Sequence, residues 1–182
     1  MKKTSKEKLY EAAVELITAQ GYDNTTVQQI ADKAGLTERT FFRQFKDKAD
    51  ILFGGGEEYT EMLLNEMRTS QQTNSVLVVM DGYFFAADYF DSYAERTKRR
   101  AAIVASHPDL QERELLKQVH VEEVLTSALA ERCDGATARL SVRVARAIFS
   151  VAQEEWLGGS RKKLRSLLQI SLKNYQDLTS QP

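Results

Sequence analysis

One cysteine, Cys133, and two prolines, one of them the last residue, are all that the 182-residue chain carries of either type. A lone cysteine excludes an internal disulfide framework and a thiolate zinc site. The nine glycines add little to the supply of turn residues. Sandwiches and barrels need such residues about every 8–12 positions, whereas long helices joined by few loops do not. No uncharged apolar run approaches the roughly 18 residues of a membrane helix. The start, MKKTSKEKLYE, is basic with no apolar segment behind it, which predicts no signal peptide and a cytoplasmic protein. Neither charge sign dominates: 25 Lys+Arg stand against 26 Asp+Glu, so no global field announces a polyanionic partner. What is present is 42% hydrophobic and 28% charged residues, enough for a buried core under a wet surface. The expectation is an all-α chain of about nine helices.

Helical periodicity supports this. Leu9, Ala12, Ala13, Leu16 and Ile17 form an apolar stripe, with Ser5 as a plausible N-cap and Gly21 as the stop. Thr25 and Thr26 both have capping-box spacing, with Gln28 and Gln29 three residues on. A second helix is predicted over 27–34, ended by Gly35. Thr37 is placed to cap a third, carrying Phe41, Phe42 and Phe45. Asp47 then caps a fourth that starts at Lys48 and runs to about Arg68, a length of roughly 30 Å at 1.5 Å per residue. Further helices are predicted over 76–93, 94–106, 109 to about 133 (ended by Gly135), 136–156 and from Ser160 onward. His107-Pro108 marks a boundary because the residue before proline is pushed out of the α region.

The pattern over 26–45 is that of a helix-turn-helix. Ala31, Ala34 and Gly35 let two short helices cross closely, while Ile30, Leu36, Phe41 and Phe45 supply an apolar back. The second helix keeps Thr37, Glu38, Arg39, Thr40, Arg43 and Gln44 outward and polar. In such a motif this N-terminal half enters the major groove of double-stranded DNA, where arginine can place a bidentate fork on guanine. Hydroxyls and capped helix starts can hold phosphates. Charge agrees locally: residues 33–48 carry Lys33, Arg39, Arg43, Lys46 and Lys48 against Glu38 and Asp47. Residues 1–8 add Lys2, Lys3, Lys6 and Lys8 against Glu7, a basic arm of the kind that contacts backbone or minor groove. A solvated three-helix bundle with scattered charges gives the same pattern.

The segment Thr25–Leu52 resembles the DNA-binding domain of the tetracycline-repressor-like (TetR) family of bacterial regulators. The shared positions are Thr26, Val27, Ile30, Ala31, Ala34, Gly35, Leu36, Thr37, Thr40, Phe45 and Lys48, with Leu52 closing the segment. The resemblance implies a DNA-binding domain over 1–47 and a helical effector-binding and dimerisation domain over 48–182. It also implies phosphate contacts from Thr26, Thr37 and Lys48, with Glu38, Arg39 and Thr40 facing base edges. Two positions depart from the family. Phe42 stands where a tyrosine hydroxyl usually contacts phosphate, and Gln44 where a histidine is usual; Arg43 can supply the missing backbone charge. The function implied is that of a repressor that leaves its operator when a small apolar or amphipathic effector binds. It would be a homodimer through its last two helices and would need no cofactor.

Six of the sixteen aromatic residues lie between Tyr83 and Tyr93, with Met62, Met67 and Met80 nearby. Methionines and aromatics suit an adaptable apolar cavity, which makes Met62, Met80, Tyr83, Phe84 and Phe90 candidate effector contacts; ordinary core is the other reading of each. The run Arg96-Thr97-Lys98-Arg99-Arg100 reads as a wet helix face or as a seat for an anionic head group. Gly54-Gly55-Gly56 falls inside the predicted fourth helix, where each glycine costs roughly 1 kcal/mol relative to alanine. It reads as a hinge between sensor and reader, as close packing, or as a plain break.

Two other functions compete. An enzyme is disfavoured: His107 and His120 are thirteen apart with no ligand pattern around them, Cys133 has no base near it in sequence, and no phosphate loop or H-E-x-x-H motif occurs. No metal site is predicted. A helical adaptor whose helix-turn-helix binds protein is the remaining alternative.

Overall fold

The computed structural model describes residues 3–54 and 56–180. Lys2 of the basic arm and Gly55 of the glycine triplet lie outside the described residues. The helices are α1 (Ser5–Gln20), α2 (Val27–Lys33), α3 (Glu38–Gln44), α4 (Asp50–Phe53), α5 (Gly56–Thr69), α6 (Ser75–Ser92), α7 (Ala94–Ala105), α8 (Pro108–Leu129), α9 (Gly135–Leu157) and α10 (Leu164–Thr179). No strand occurs among the described residues. The tenth helix arises because the expected fourth one is split. α4 is a single turn ending at Gly54, and α5 starts afresh at Gly56. Consecutive glycines are poor helix formers, and Gly54 also sits against Phe45, where a Cβ would stand 3.2 Å from the ring.

α4 also starts at Asp50 and not at Lys48, with Ala49 in place of Asp47 at its N-cap. Three further boundaries differ from the sequence reading, each for a hydrogen-bonding reason. The cap of α1 is Thr4, not Ser5. Its hydroxyl accepts from Glu7 N while the Glu7 carboxylate accepts from Thr4 N, a reciprocal pair that Ser5 has no acidic partner to make. Gly135 begins α9 and does not end α8, because Asp134 caps the new helix by accepting from Ala136 N and Thr137 N. The last helix starts at Leu164, with Ser160 left in the connection. Its first amides are satisfied by Asp91 on α6, which accepts from Leu164 N at 2.8 Å and Arg165 N at 3.2 Å.

The chain forms two compact units, one of Met1–Gly56 with Lys98–Leu115 and one of Glu57–Thr97 with Leu116–Pro182. The first has a core of Leu9, Ala13, Ile17, Ile30, Phe41, Phe45, Ile51 and Leu52. It is completed from far along the chain by Ile103, Val104 and Leu110. It therefore extends past residue 47, the boundary expected from sequence, because the apolar residues of α4 and of the α7–α8 corner bury themselves against α1–α3. The second unit centres on α6, α9 and α10. Ala138, Ala145 and Ala152 recur every seven residues on α9, allowing close approach, and Tyr83, Phe149, Trp156, Leu164 and Leu168 fill the space around them. No helix among the described residues is long and apolar enough to cross a membrane.

Candidate nucleic-acid interface

The turn between α2 and α3 begins with Gly35, whose φ of +66° is a left-handed conformation that glycine adopts without strain. Leu36 N donates back to Ala31 O, closing the end of α2. On the other side of α2, Thr26 Oγ1 accepts from Gln29 N, and Gln29 Oε1 accepts from Thr26 N at 2.9 Å. Thr37 then caps α3 by accepting from Thr40 N, and its hydroxyl lies 3.1 Å from that of Thr40. Both expected caps are present, and they fix where each helix starts.

Phe41 and Phe45 turn inward from α3 and are buried, with ring centroids 5.4 Å apart. The remaining residues of α3 are thereby turned out. Glu38, Arg39, Arg43 and Gln44 are exposed, as are Thr26 and Thr37, and Thr40 is half-buried. Phe42 is 55% exposed, its ring edge-on to Phe41. Arg39, Arg43 and the Lys46 ammonium make no ion pair among the described residues, so their charges face solvent. Two other basic residues are neutralised. Lys33 pairs with Glu15 at 3.0 Å and Lys3 with Glu11 at 2.6 Å. The positive field of this unit is thus narrower than the count of lysines implied, and Arg39 and Arg43 contribute to it from α3.

Lys48 is placed differently from the other expected DNA contacts. Its Nζ donates to Tyr22 O at 2.5 Å and lies 3.9 Å from the centre of the Tyr22 ring. Burial there pulls its pKa below the ordinary lysine value, with Asp23 pulling back the other way. Tyr22 also stacks at a tilt on His107, whose Nε2 is 3.0 Å from Asp23 Oδ1. In sequence His107 marks a helix boundary and has no ligand pattern around it; a pairing between residues 84 apart leaves no local signature.

The candidate effector residues are brought into one unit but not into one environment. Met80 and Tyr83 are fully buried, while Met62, Phe84 and Phe90 are half-buried. The Tyr83 ring stacks on Phe149 at 4.6 Å, Phe90 lies 6.4 Å from Phe149, and Tyr59 stacks on Phe90 at 5.7 Å. This makes a run of four rings across α5, α6 and α9. Phe84 lies under the Arg165 guanidinium at 5.2 Å. The remaining aromatics of this stretch, Phe85, Tyr89 and Tyr93, face outward at helical spacing. Arg100, from the basic run, is a structural tie: it donates to Leu52 O at 2.7 Å, pairs with Glu114 and covers the Phe53 ring. Asp81 is half-buried and accepts from Ser70 Oγ at 2.6 Å. Asp88 is exposed and paired with Arg165 at 2.5 Å.

Two capped short helices crossing at a glycine turn, with a polar, arginine-bearing outer face, define a DNA-binding regulator of the helix-turn-helix class. The chain belongs to the TetR family. Residues 9–53 match the family model described as bacterial regulatory proteins, tetR family, and residues 78–177 match that of the MftR C-terminal domain. Over 135 residues it is 26% identical to the protein of Mycobacterium tuberculosis provisionally named as the mycofactocin biosynthesis transcriptional regulator MftR, covering 74% of this chain and 68% of that one. It is 34% identical over 82 residues to the transcriptional regulator TcmR of Streptomyces glaucescens. That match covers 45% of this chain but only 36% of TcmR. The fold resembles that of FadR from Bacillus subtilis, solved in complex with stearoyl-CoA, with a TM-score of 0.60 at 19% identity over 92% of this chain and 95% of that one.

Proposed function

We propose that the protein is a homodimeric repressor that holds a duplex operator with α3 and releases it when an apolar or amphipathic small molecule enters the second unit. Arg39, with Glu38 and Thr40, reads base edges in the major groove. Thr26, Thr37, Arg43, Gln44 and Lys48 hold phosphates, and Phe42 packs against sugar or a thymine methyl in place of a hydroxyl contact. The observation that carries this reading is the solvent-facing, unpaired positive charge of Arg39 and Arg43 on the outer face of α3. Lys48 keeps its place at the edge of that face through Tyr22 and reaches a phosphate with a short swing of its long side chain.

A single helix-turn-helix makes few contacts, and two-fold dimers reading half-sites one helical turn apart are the usual remedy. The last two helices supply a suitable surface. Leu140, Ala147 and Val151 are exposed on one side of α9, Ile170 and Leu178 on one side of α10, and Leu140 and Leu178 are 66% and 73% exposed. The likeness to FadR supports an effector with a long apolar chain, and Met62, Met80, Tyr83, Phe84 and Phe90 are the side chains that would meet it. Such a regulator acts on the chromosome, hence in the cytoplasm, and needs no catalytic chemistry.

Selection of bound duplexes from a random pool tests this reading. It predicts an inverted repeat with half-sites about 10 base pairs apart. No enriched sequence, or binding indifferent to added salt, would favour the adaptor reading instead.

A further inference from the structure

Arg146 on α9 is set one turn before Phe149, beside the run of stacked rings, and is half-buried. Its Nη2 donates to Gln118 Oε1 on α8 at 2.5 Å. Its Nε is buried and has no hydrogen-bond partner, and no carboxylate forms an ion pair with it among the described residues. A guanidinium in that state is unusual. A buried N–H left without an acceptor loses its hydration for nothing in return.

Two further polar groups share the neighbourhood. Tyr83, fully buried on α6, feels the Arg146 charge, and burial pushes its phenol up to about 12. Glu122, one turn after Gln118 on α8 and half-buried, acts on Tyr83 in the opposite sense to Arg146. A neutral hydroxyl, an amide, a guanidinium whose Nε lacks an acceptor and a carboxylate thus share one neighbourhood on three helices of one unit, next to the four rings of Tyr83, Phe149, Phe90 and Tyr59.

We propose that Arg146 is the anchor of a binding site for a monoanionic organic acid, whose carboxylate accepts from Arg146 Nε and whose apolar body lies along the rings of Tyr83, Phe149 and Phe90. A guanidinium offers a planar fork that matches a carboxylate, and such charge-assisted bonds are about twice as strong as neutral ones. Glu122 selects against a dianion, because a phosphate would bring a second negative charge towards its carboxylate. This inference rests on the second unit being the effector-binding part of the regulator, and names the anchoring chemistry and ligand class of that part.

Calorimetric titration of the full chain with the series hexanoate to tetradecanoate, and with the alcohols of the same lengths, tests it. The wild-type protein is expected to bind a member of the acid series at least about tenfold more tightly than its matched alcohol. Arg146→Gln is expected to lose that preference while still binding the alcohol, and Arg146→Lys to keep part of it. Equal affinity of acid and alcohol for the wild type, or an unchanged acid affinity in Arg146→Gln, would overturn the proposal and leave Nε to a structural water. The wild-type comparison decides the matter even where Arg146→Gln fails to fold. Duplex binding by the same preparation separates the two readings. Duplex binding with no acid bound overturns the site alone, and acid binding that leaves the duplex in place supports the site while contradicting release by this class of effector.

Discussion

Arg113 and Asp47 stand 66 residues apart in the chain and meet side on, with Nη1 2.9 Å from Oδ1 and 3.0 Å from Oδ2. The same guanidinium lies 3.4 Å from Asp50 through Nη2 and 5.3 Å from the centre of the Phe53 ring. Asp47 in turn accepts from Asp50 N at 2.6 Å. The residue that closes the helix-turn-helix and the turn that follows it are therefore held by a side chain from the start of α8.

Arg113→Ala is expected to lower the stability of the first unit by about 1 kcal/mol, modest because the pair is partly exposed to solvent. A double-mutant cycle with Asp47→Ala measures it by chemical denaturation. The two changes are expected to be less than additive, because either one alone removes the shared contact. Strict additivity would mean that the contact does not contribute.

Gly82, inside α6, is a case where helix propensity and packing oppose each other. A Cβ there would stand 3.1 Å from the Leu63 carbonyl oxygen on α5 and 3.4 Å from Leu63 Cα, both backbone atoms of a neighbouring helix. Alanine favours a helix by about 1 kcal/mol over glycine, while overpacking against atoms that cannot rotate away costs about 1–3 kcal/mol. Gly82→Ala is therefore expected to destabilise the protein on balance, as a lower melting temperature. A higher one would show that α5 and α6 can separate freely.

Tyr83 makes stability depend on pH in the alkaline range. Its phenol titrates at about 12 in the folded chain, against an ordinary value of 10.0, because burial disfavours the phenolate. The unfolded chain therefore loses this proton first. The contribution is intact below pH 10 and is lost as the pH rises from about 10 to 12, to a total of roughly 2–3 kcal/mol. Tyr83→Phe is expected to flatten that part of the stability curve relative to the wild type. Parallel curves would mean that the phenol is hydrated.

The outward apolar side of α9 and α10 carries a prediction about assembly. Leu140→Asp combined with Val151→Asp is expected to yield a folded monomer in sedimentation, and the wild type a dimer at the same concentration. The same variant is expected to bind duplex more weakly, because each half-site is then held alone. A dimer that survives both changes would place the interface elsewhere.

The part of this structure that sequence reasoning reaches is the part written in short-range signals. Thr26 with Gln29, Thr37 with Thr40, and the left-handed Gly35 each act within five residues, so spacing alone exposes the helix-turn-helix. Gly135 shows the limit of such signals, since a glycine between helices marks a stop or a start equally well until Asp134 is seen capping. Contacts of His107, Arg113 and Leu110 with the first unit were not legible, because an amphipathic helix does not say which core it completes. The aromatic stretch of residues 83–93 was visible as a cluster but not the division between Tyr83 and Phe90, which pack inward, and Tyr89 and Tyr93, which do not. Arg146 carries no pattern at all: its interest lies in an acceptor that is missing in three dimensions.

In the proposed complex α3 reads base edges with Arg39 from a positively charged face. The most direct test measures Kd for the selected operator, and for each of its single-base variants, across a range of salt with wild type, Arg39→Ala and Arg43→Ala. The wild type is expected to weaken linearly in log Kd with log salt. Arg39→Ala should lose about 10- to 100-fold on the operator and stop discriminating at one base pair per half-site, while Arg43→Ala weakens all sequences alike with a shallower salt slope. An Arg39→Ala protein that keeps its full discrimination, or a wild type that binds every duplex equally, would contradict the account.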